Sequence, residues 1–194
     1  MAKGSIDRRV ARTRAALQQA CMSLVLKKGH DAVTVSDICK AANIGRSTFY
    51  SHFTGKDDIR RIGLDDLRKQ LLTHQRHAQA QPVGSKHNLF SFVRPMLQHA
   101  SEHLNMYRAV AGGRGGAAAL AQIHKIIADL IRNELVSIRR GRADTSIPDE
   151  LIVQYLAGAF VSLMTWWLDD GAKLPLERVD EMFRRMALEG FASS

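Results

Sequence analysis

Arg46, Ser47 and Thr48 stand side by side, and Tyr50 and His52 follow at once. These residue types suit the gripping of an anion or the reading of a planar edge. A guanidinium offers a bidentate fork to phosphate or to a guanine edge. Short hydroxyls donate and accept together, and phenol and imidazole add further donors. Thr34 and Lys56 flank the run at two helix-start signals, where free N–H groups and the positive helix end favour anions. The same residues also fit an ordinary polar surface with Tyr50 at the edge of a core. What must decide is the set of elements that positions them.

Other constellations carry less. His99 and His103 lie four apart, and His74 and His77 three apart; either spacing would let two rings share a metal. Only Glu102 stands near enough in sequence to complete a site, and it faces elsewhere, so no metal and no cofactor are expected. Cys21 and Cys39 fall on apolar helix faces as small core residues, too few for a disulfide framework. Gly112 to Gly116 lacks the Gly-Lys-Ser/Thr of a phosphate loop and reads as a connector. No nucleophile elbow, zinc-protease helix or ordered acid–base pair occurs, which speaks against an enzyme.

Charge adds a direction. Residues 1–60 hold 11 Lys and Arg against 5 Asp and Glu, so +6 of the chain's +9 sits in under a third of its 194 residues. Arg8, Arg9, Arg12 and Arg14 make a dense basic start. The asymmetry suits a polyanionic partner. No apolar leader follows Met1, and with two cysteines a reducing cytosol is the expected compartment.

The periodicity is helical throughout, which predicts an all-α fold of about nine helices. Residues 7–28 repeat apolar side chains at helical spacing and end in Lys27-Lys28-Gly29, cations followed by a C-terminal glycine. Thr34 with Asp37 three residues on is a capping-box pattern that opens a two-turn helix. Asn43-Ile44-Gly45 breaks it, with Gly45 expected to supply the tight turn, and Arg46 to Phe53 forms a third short helix. That is a helix-turn-helix arrangement. Thr54 and Asp57 are expected to cap a fourth helix running to about residue 79. A loop through Pro82 and Gly84 precedes a helix over 87–102, kinked at Pro95. Further helices are expected over 103–111, 117–140, 149–168 and 175–190.

At this point the residues carry a resemblance. The run Thr34-Val-Ser-Asp-Ile-Cys-Lys-Ala-Ala-Asn-Ile-Gly-Arg-Ser-Thr-Phe-Tyr-Ser-His-Phe-Thr-Gly-Lys56-Asp-Asp-Ile59 resembles the DNA-binding signature of the TetR/AcrR transcriptional regulators. The resemblance implies that Thr34, Tyr50, His52 and Lys56 contact phosphates, while Arg46, Ser47 and Thr48 face bases. Gly45 and Gly55 depart from the pattern, which often has a hydroxyl residue there. It implies a three-helix DNA-binding domain over 1–55 and a larger helical domain over 56–194. The larger domain would bind a small apolar or amphipathic effector and form a homodimer through about 149–191. Leu71, Phe92, Met96, Tyr107, Ile127, Tyr155 and Trp166 are the expected pocket lining, with plain core packing as the alternative for each.

The tail fits dimerisation. Ile152, Leu156, Ala159, Phe160 and Leu163 form one apolar stripe, and Val179, Met182, Phe183 and Met186 another. A membrane span is the rival reading of 151–168. It is disfavoured by a run of about 17 residues, by Gln154 and Ser162, and by Asp169-Asp170 at its end. The expected function is therefore a repressor that releases an inverted-repeat operator when an effector binds. The rival is a DNA-binding regulator whose C-terminal domain docks a protein and takes no small molecule.

Overall fold

The computed structural model describes residues 3–80, 89–105, 107, 116–138 and 146–189. Among them are eight helices and no strand. They are α1 (Lys3–Lys28), α2 (Val35–Ala42), α3 (Arg46–Tyr50), α4 (Lys56–Gln79), α5 (Val93–Glu102), α6 (Gly116–Ile138), α7 (Asp149–Asp169) and α8 (Leu176–Glu189). The expected connector at Gly112, the loop through Pro82 and most of the expected helix over 103–111 lie outside the described residues.

Two hydrophobic clusters form, one at each end. The N-terminal head buries Leu17, Cys21, Val25, Ile38, Phe49, Phe53 and Ile59. The body buries Leu67, Leu71, Met96, Ile127, Leu156, Phe160 and Phe183 among others. α4 contributes to both, through Ile59 in the head and Leu67 and Leu71 in the body.

Local signals build the head. Gly29 ends α1 at φ +77°, and its N–H reaches Val25 O at 2.9 Å. A side chain there would be strained, so glycine fits. The Thr34 hydroxyl accepts from Asp37 N at 3.2 Å, and Asp37 Oδ2 accepts from Thr34 N at 3.0 Å. The capping box is complete.

The turn after α2 works differently from the expectation. Asn43, not Gly45, adopts the left-handed conformation, at φ 54°, and Ile44 N closes the turn on Cys39 O at 2.9 Å. Asn tolerates that region because its short side chain bonds locally. Gly45 sits at φ −66° as the cap of α3, with no side-chain hydrogen bond. The start of α4 also departs from the expectation. Gly55 is its cap, and Asp58 rather than Asp57 accepts from Thr54 N, at 3.0 Å. That contact, with Arg61 beside it, lowers the Asp58 pKa.

Lys56 ties the head together. Its ammonium donates to His30 O at 2.8 Å, Val33 O at 3.0 Å and Asp31 O at 3.2 Å. Three donors meet three carbonyls of the α1–α2 turn, which fixes the start of α4 against it.

In the body, Pro95 does not kink a helix. It lies in the first turn of α5, which begins only at Val93. There its missing N–H has no intrahelical partner to lose. Four phenylalanines then close a ring of edge-to-face contacts. Phe90–Phe92, Phe92–Phe160, Phe160–Phe183 and Phe183–Phe90 lie at 6.3, 5.7, 5.1 and 5.4 Å. Each such pair adds roughly 0.5–1.5 kcal/mol beyond burial. Phe90 holds a positive φ of 56° because its polar groups are clamped. Its N–H donates to the buried Glu134 at 2.6 Å, and Arg184 donates to its carbonyl at 2.9 Å. α7 buries Ile152, Val153, Leu156 and Phe160 in this core. It is also the one described helix long and apolar enough to cross a membrane.

Two substitutions test this reading of the head. Lys56→Met leaves three carbonyls without their cation and should cost roughly 1–3 kcal/mol in urea unfolding; an unchanged midpoint would show that the contacts contribute nothing. Gly45→Ser adds a cap where a new Cβ meets only Ser47 Oγ, at 4.0 Å. It should stabilise by about a few tenths of a kcal/mol, and a clear loss in calorimetry would contradict that.

Candidate nucleic-acid interface

α3 is amphipathic across little more than one turn. Phe49 is buried and packs edge-to-face on Tyr50, at 5.3 Å and 83°, and against Phe53 at 5.7 Å. The guanidinium of Arg14 lies 5.9 Å from the Phe53 ring centroid. With Phe49 held, Arg46, Ser47, Thr48 and Tyr50 are all exposed. Ser51 Oγ donates to Thr48 O at 2.7 Å and steadies the end of the helix. His52 is half-buried beside Phe53. The structure therefore groups five of the seven predicted residues, Arg46 to His52, on α3 and the turn that follows it.

Thr34 and Lys56 come out differently. The Thr34 hydroxyl is engaged twice, since it also donates to Asp37 Oδ2 at 2.7 Å. Lys28 donates to the same oxygen at 2.7 Å. These contacts, Lys28 first, hold the Asp37 carboxyl far below the usual carboxylate range. Its negative charge, and the cap it completes, persist until strongly acid pH. Thr34 thus presents the open N-terminal turn of α2 rather than a free hydroxyl. The Lys56 ammonium is likewise occupied by carbonyls, so what it offers an anion is the first turn of α4. The resemblance implied phosphate contacts for both side chains; the Thr34 cap was legible in the sequence, but the bonds of Lys56 to the α1–α2 turn were not.

The expected pocket lining also divides. Phe92, Met96 and Ile127 are closed core, while Leu71 is buried and lines a cavity beside it. Tyr155 and Trp166, at 62% and 51% exposed, lie on the outer face of α7 and line neither of the two cavities described below. They continue an exposed stripe with Leu151 and Ala159 at helical spacing. Of the stripe expected to pair subunits, Ile152, Leu156 and Phe160 are instead buried in the body's own core.

Open space lies to either side of that core. A cavity of about 590 Å³ and mixed polarity between α4, α5 and α8 is lined by Leu71, His74, Arg94, Gln98, Asp180 and Arg184. A mostly apolar cavity of about 370 Å³ lies where the head meets the body, and Tyr107 lines it. Burial raises the pKa of the Tyr107 phenol and brings the Cys21 thiol to about 11, so both are protonated at neutral pH. His99 and His103 stack at 4.4 Å. Burial, and then His103, lower the His99 pKa. Among the described residues no group of three or more His, Cys, Asp and Glu gathers to hold a metal.

Comparison with known proteins meets this geometry. A family model described as bacterial regulatory proteins, tetR family, matches residues 18–61. A second, for the C-terminal region of transcriptional regulators, matches residues 87–189. A curated relative from Bacillus subtilis, the HTH-type transcriptional regulator YxbF, is 26% identical over 176 residues. The match covers 89% of this chain but 43% of that relative, so the chain spans less than half of the relative's length. A TetR-family regulator from Syntrophomonas wolfei superposes with a TM-score of 0.77 at 18% identity, covering 95% of this chain and 96% of its own. Thermus thermophilus FadR, a TetR-family repressor solved with lauroyl-CoA, gives 0.64 at 21% identity, covering 91% and 94%. The head with its short exposed α3, the helical body behind it and the two family models that match them agree: this chain belongs to the TetR family of bacterial transcriptional regulators.

Proposed function

We propose that the chain is a ligand-responsive repressor acting in the cytosol. In this reading a homodimer holds an inverted-repeat operator and releases it when a small apolar or amphipathic effector binds the body. Residues 1–55 read DNA, and residues 56–194 bind the effector and pair the subunits. The observation that carries the proposal is α3. Its apolar side is locked into the head core, its start presents Arg46, Ser47 and Thr48, and the surrounding head is basic. In this fold the second helix of the motif enters the major groove with its first residues on base edges. Tyr50, His52 and the open N-terminal turns of α2 and α4 would then meet phosphates.

Dimerisation is supported by the exposed stripe of Leu151, Tyr155 and Trp166 on α7, with Met186 exposed on α8. A stripe of large apolar side chains in water suits a protein interface. An effector is supported by the two cavities and, by analogy, by the lauroyl-CoA in the Thermus relative. The closed packing of Phe92, Met96 and Ile127 favours a second reading, in which the body docks a protein and takes no small molecule.

Selection of duplexes from a random pool tests the proposal. The expected product is an inverted repeat whose half-sites lie roughly 34–36 Å apart, or a multiple of that. Affinity should fall steeply with salt, by a log–log slope of about −0.9 per phosphate contacted. Arg46→Ala should cost about 1–3 kcal/mol and relax preference at one position per half-site. Equal loss on specific and random DNA would move Arg46 to the backbone, and salt-independent binding would overturn the proposal.

A further inference from the structure

We propose that the apolar cavity between head and body is a binding site for a small neutral molecule: an aromatic or short aliphatic body carrying one hydroxyl-like group. This deepens the regulator reading and rests on it for its consequence, not for its chemistry. The cavity's 370 Å³ is more than twice the roughly 150 Å³ in which an apolar cavity already takes benzene. Cys21 and Val25 of α1, Ile59 and Leu67 of α4 and Ile123 of α6 give it apolar walls.

His30 supplies the polar point. It lines the cavity and is only 7% exposed, yet neither ring nitrogen makes a hydrogen bond. The nearest carboxylate oxygens, Asp57 Oδ1 at 3.4 Å from Nε2 and Asp31 Oδ1 at 3.7 Å from Nδ1, are at ion-pair distance without hydrogen-bond geometry. Buried polar atoms without partners are rare in native proteins. A hydroxyl can donate to one ring nitrogen or accept from the other, whichever tautomer is present.

Gly63 supplies the opening. It lies in the interior of α4, where glycine is unfavourable, and it lines the cavity. A Cβ built there meets nothing within 4 Å. Several charged groups around the cavity already have partners. The Lys56 ammonium is on carbonyls, Asp66 pairs with Lys69 at 3.1 Å and Arg60 with Asp57 at 3.3 Å. The lining is mostly apolar, so a neutral ligand suits it better than an ionic one. An occupant touches α1 and α4 of the head together with α6 of the body, so its affinity depends on how the two are set.

Titrations followed by ¹⁹F NMR with 4-fluorophenol and 4-fluorotoluene test the site on the whole chain. Both should bind, the phenol roughly threefold to tenfold more tightly. Gly63→Phe should weaken both by roughly tenfold or more while circular dichroism stays native. His30→Leu should erase the phenol's advantage. Absence of binding at millimolar concentration, unchanged binding in Gly63→Phe, or a phenol preference that survives His30→Leu would overturn the proposal. Operator affinity is measured in parallel. DNA binding without binding of either fluorinated probe overturns this site alone. Probe binding without DNA binding supports the site and refutes the regulator reading.

Discussion

Every functional surface of the chain hangs on one helix that is buried twice. α4 packs Ile59 into the head and, two turns on, Leu67 into the body. A helix is stiff over that length, so neither core can shift along α4 without moving or straining the other. The head buries only a small cluster of its own, and Ile59 of α4 is part of it. α4 lends it a long, anchored wall.

The start of α4 shows how the chain spends its charge. Lys56 looks from its position like a hand held out to DNA, but its ammonium closes the α1–α2 turn from within. The carboxylates near it, Asp57 and Asp58, engage Arg60 and Arg61. Among the exposed cations of the head are Arg8, Arg9 and Arg12 of α1, Lys40 of α2 and Arg46 of α3. In the proposed reading, structure and recognition draw on different members of one basic set. What α2 and α4 would offer a phosphate in that reading are helix ends, which carry their positive potential in the backbone.

Much of this was legible before any coordinates. Short-range signals proved the most readable: the Thr34–Asp37 box, Gly29 and the amphipathic pattern of α3 each depend on residues a turn apart. What failed depended on distance. Pro95 reads as a kink only if the start of α5 is misplaced. Gly45 reads as the turn residue only if Asn43 is overlooked. Apolar periodicity cannot tell which side of α7 meets its own core, so Phe160 and Tyr155 exchanged places between the expected outer and inner faces. His30, an unremarkable histidine after a helix-ending glycine, gives no sequence signal at all. Its position emerges only when α1, α4 and α6 come together.

Coupling through α4 is the central claim, and hydrogen exchange in the native state tests it most directly. Leu71→Ala removes a buried side chain from the body, at a cost of about 2–5 kcal/mol, and touches nothing in the head. If the two cores share α4, amides of α2 and α3 should exchange faster in this variant along with those of the body. If acceleration stops within the body and the head amides keep their wild-type rates, the two ends are independent and the account fails.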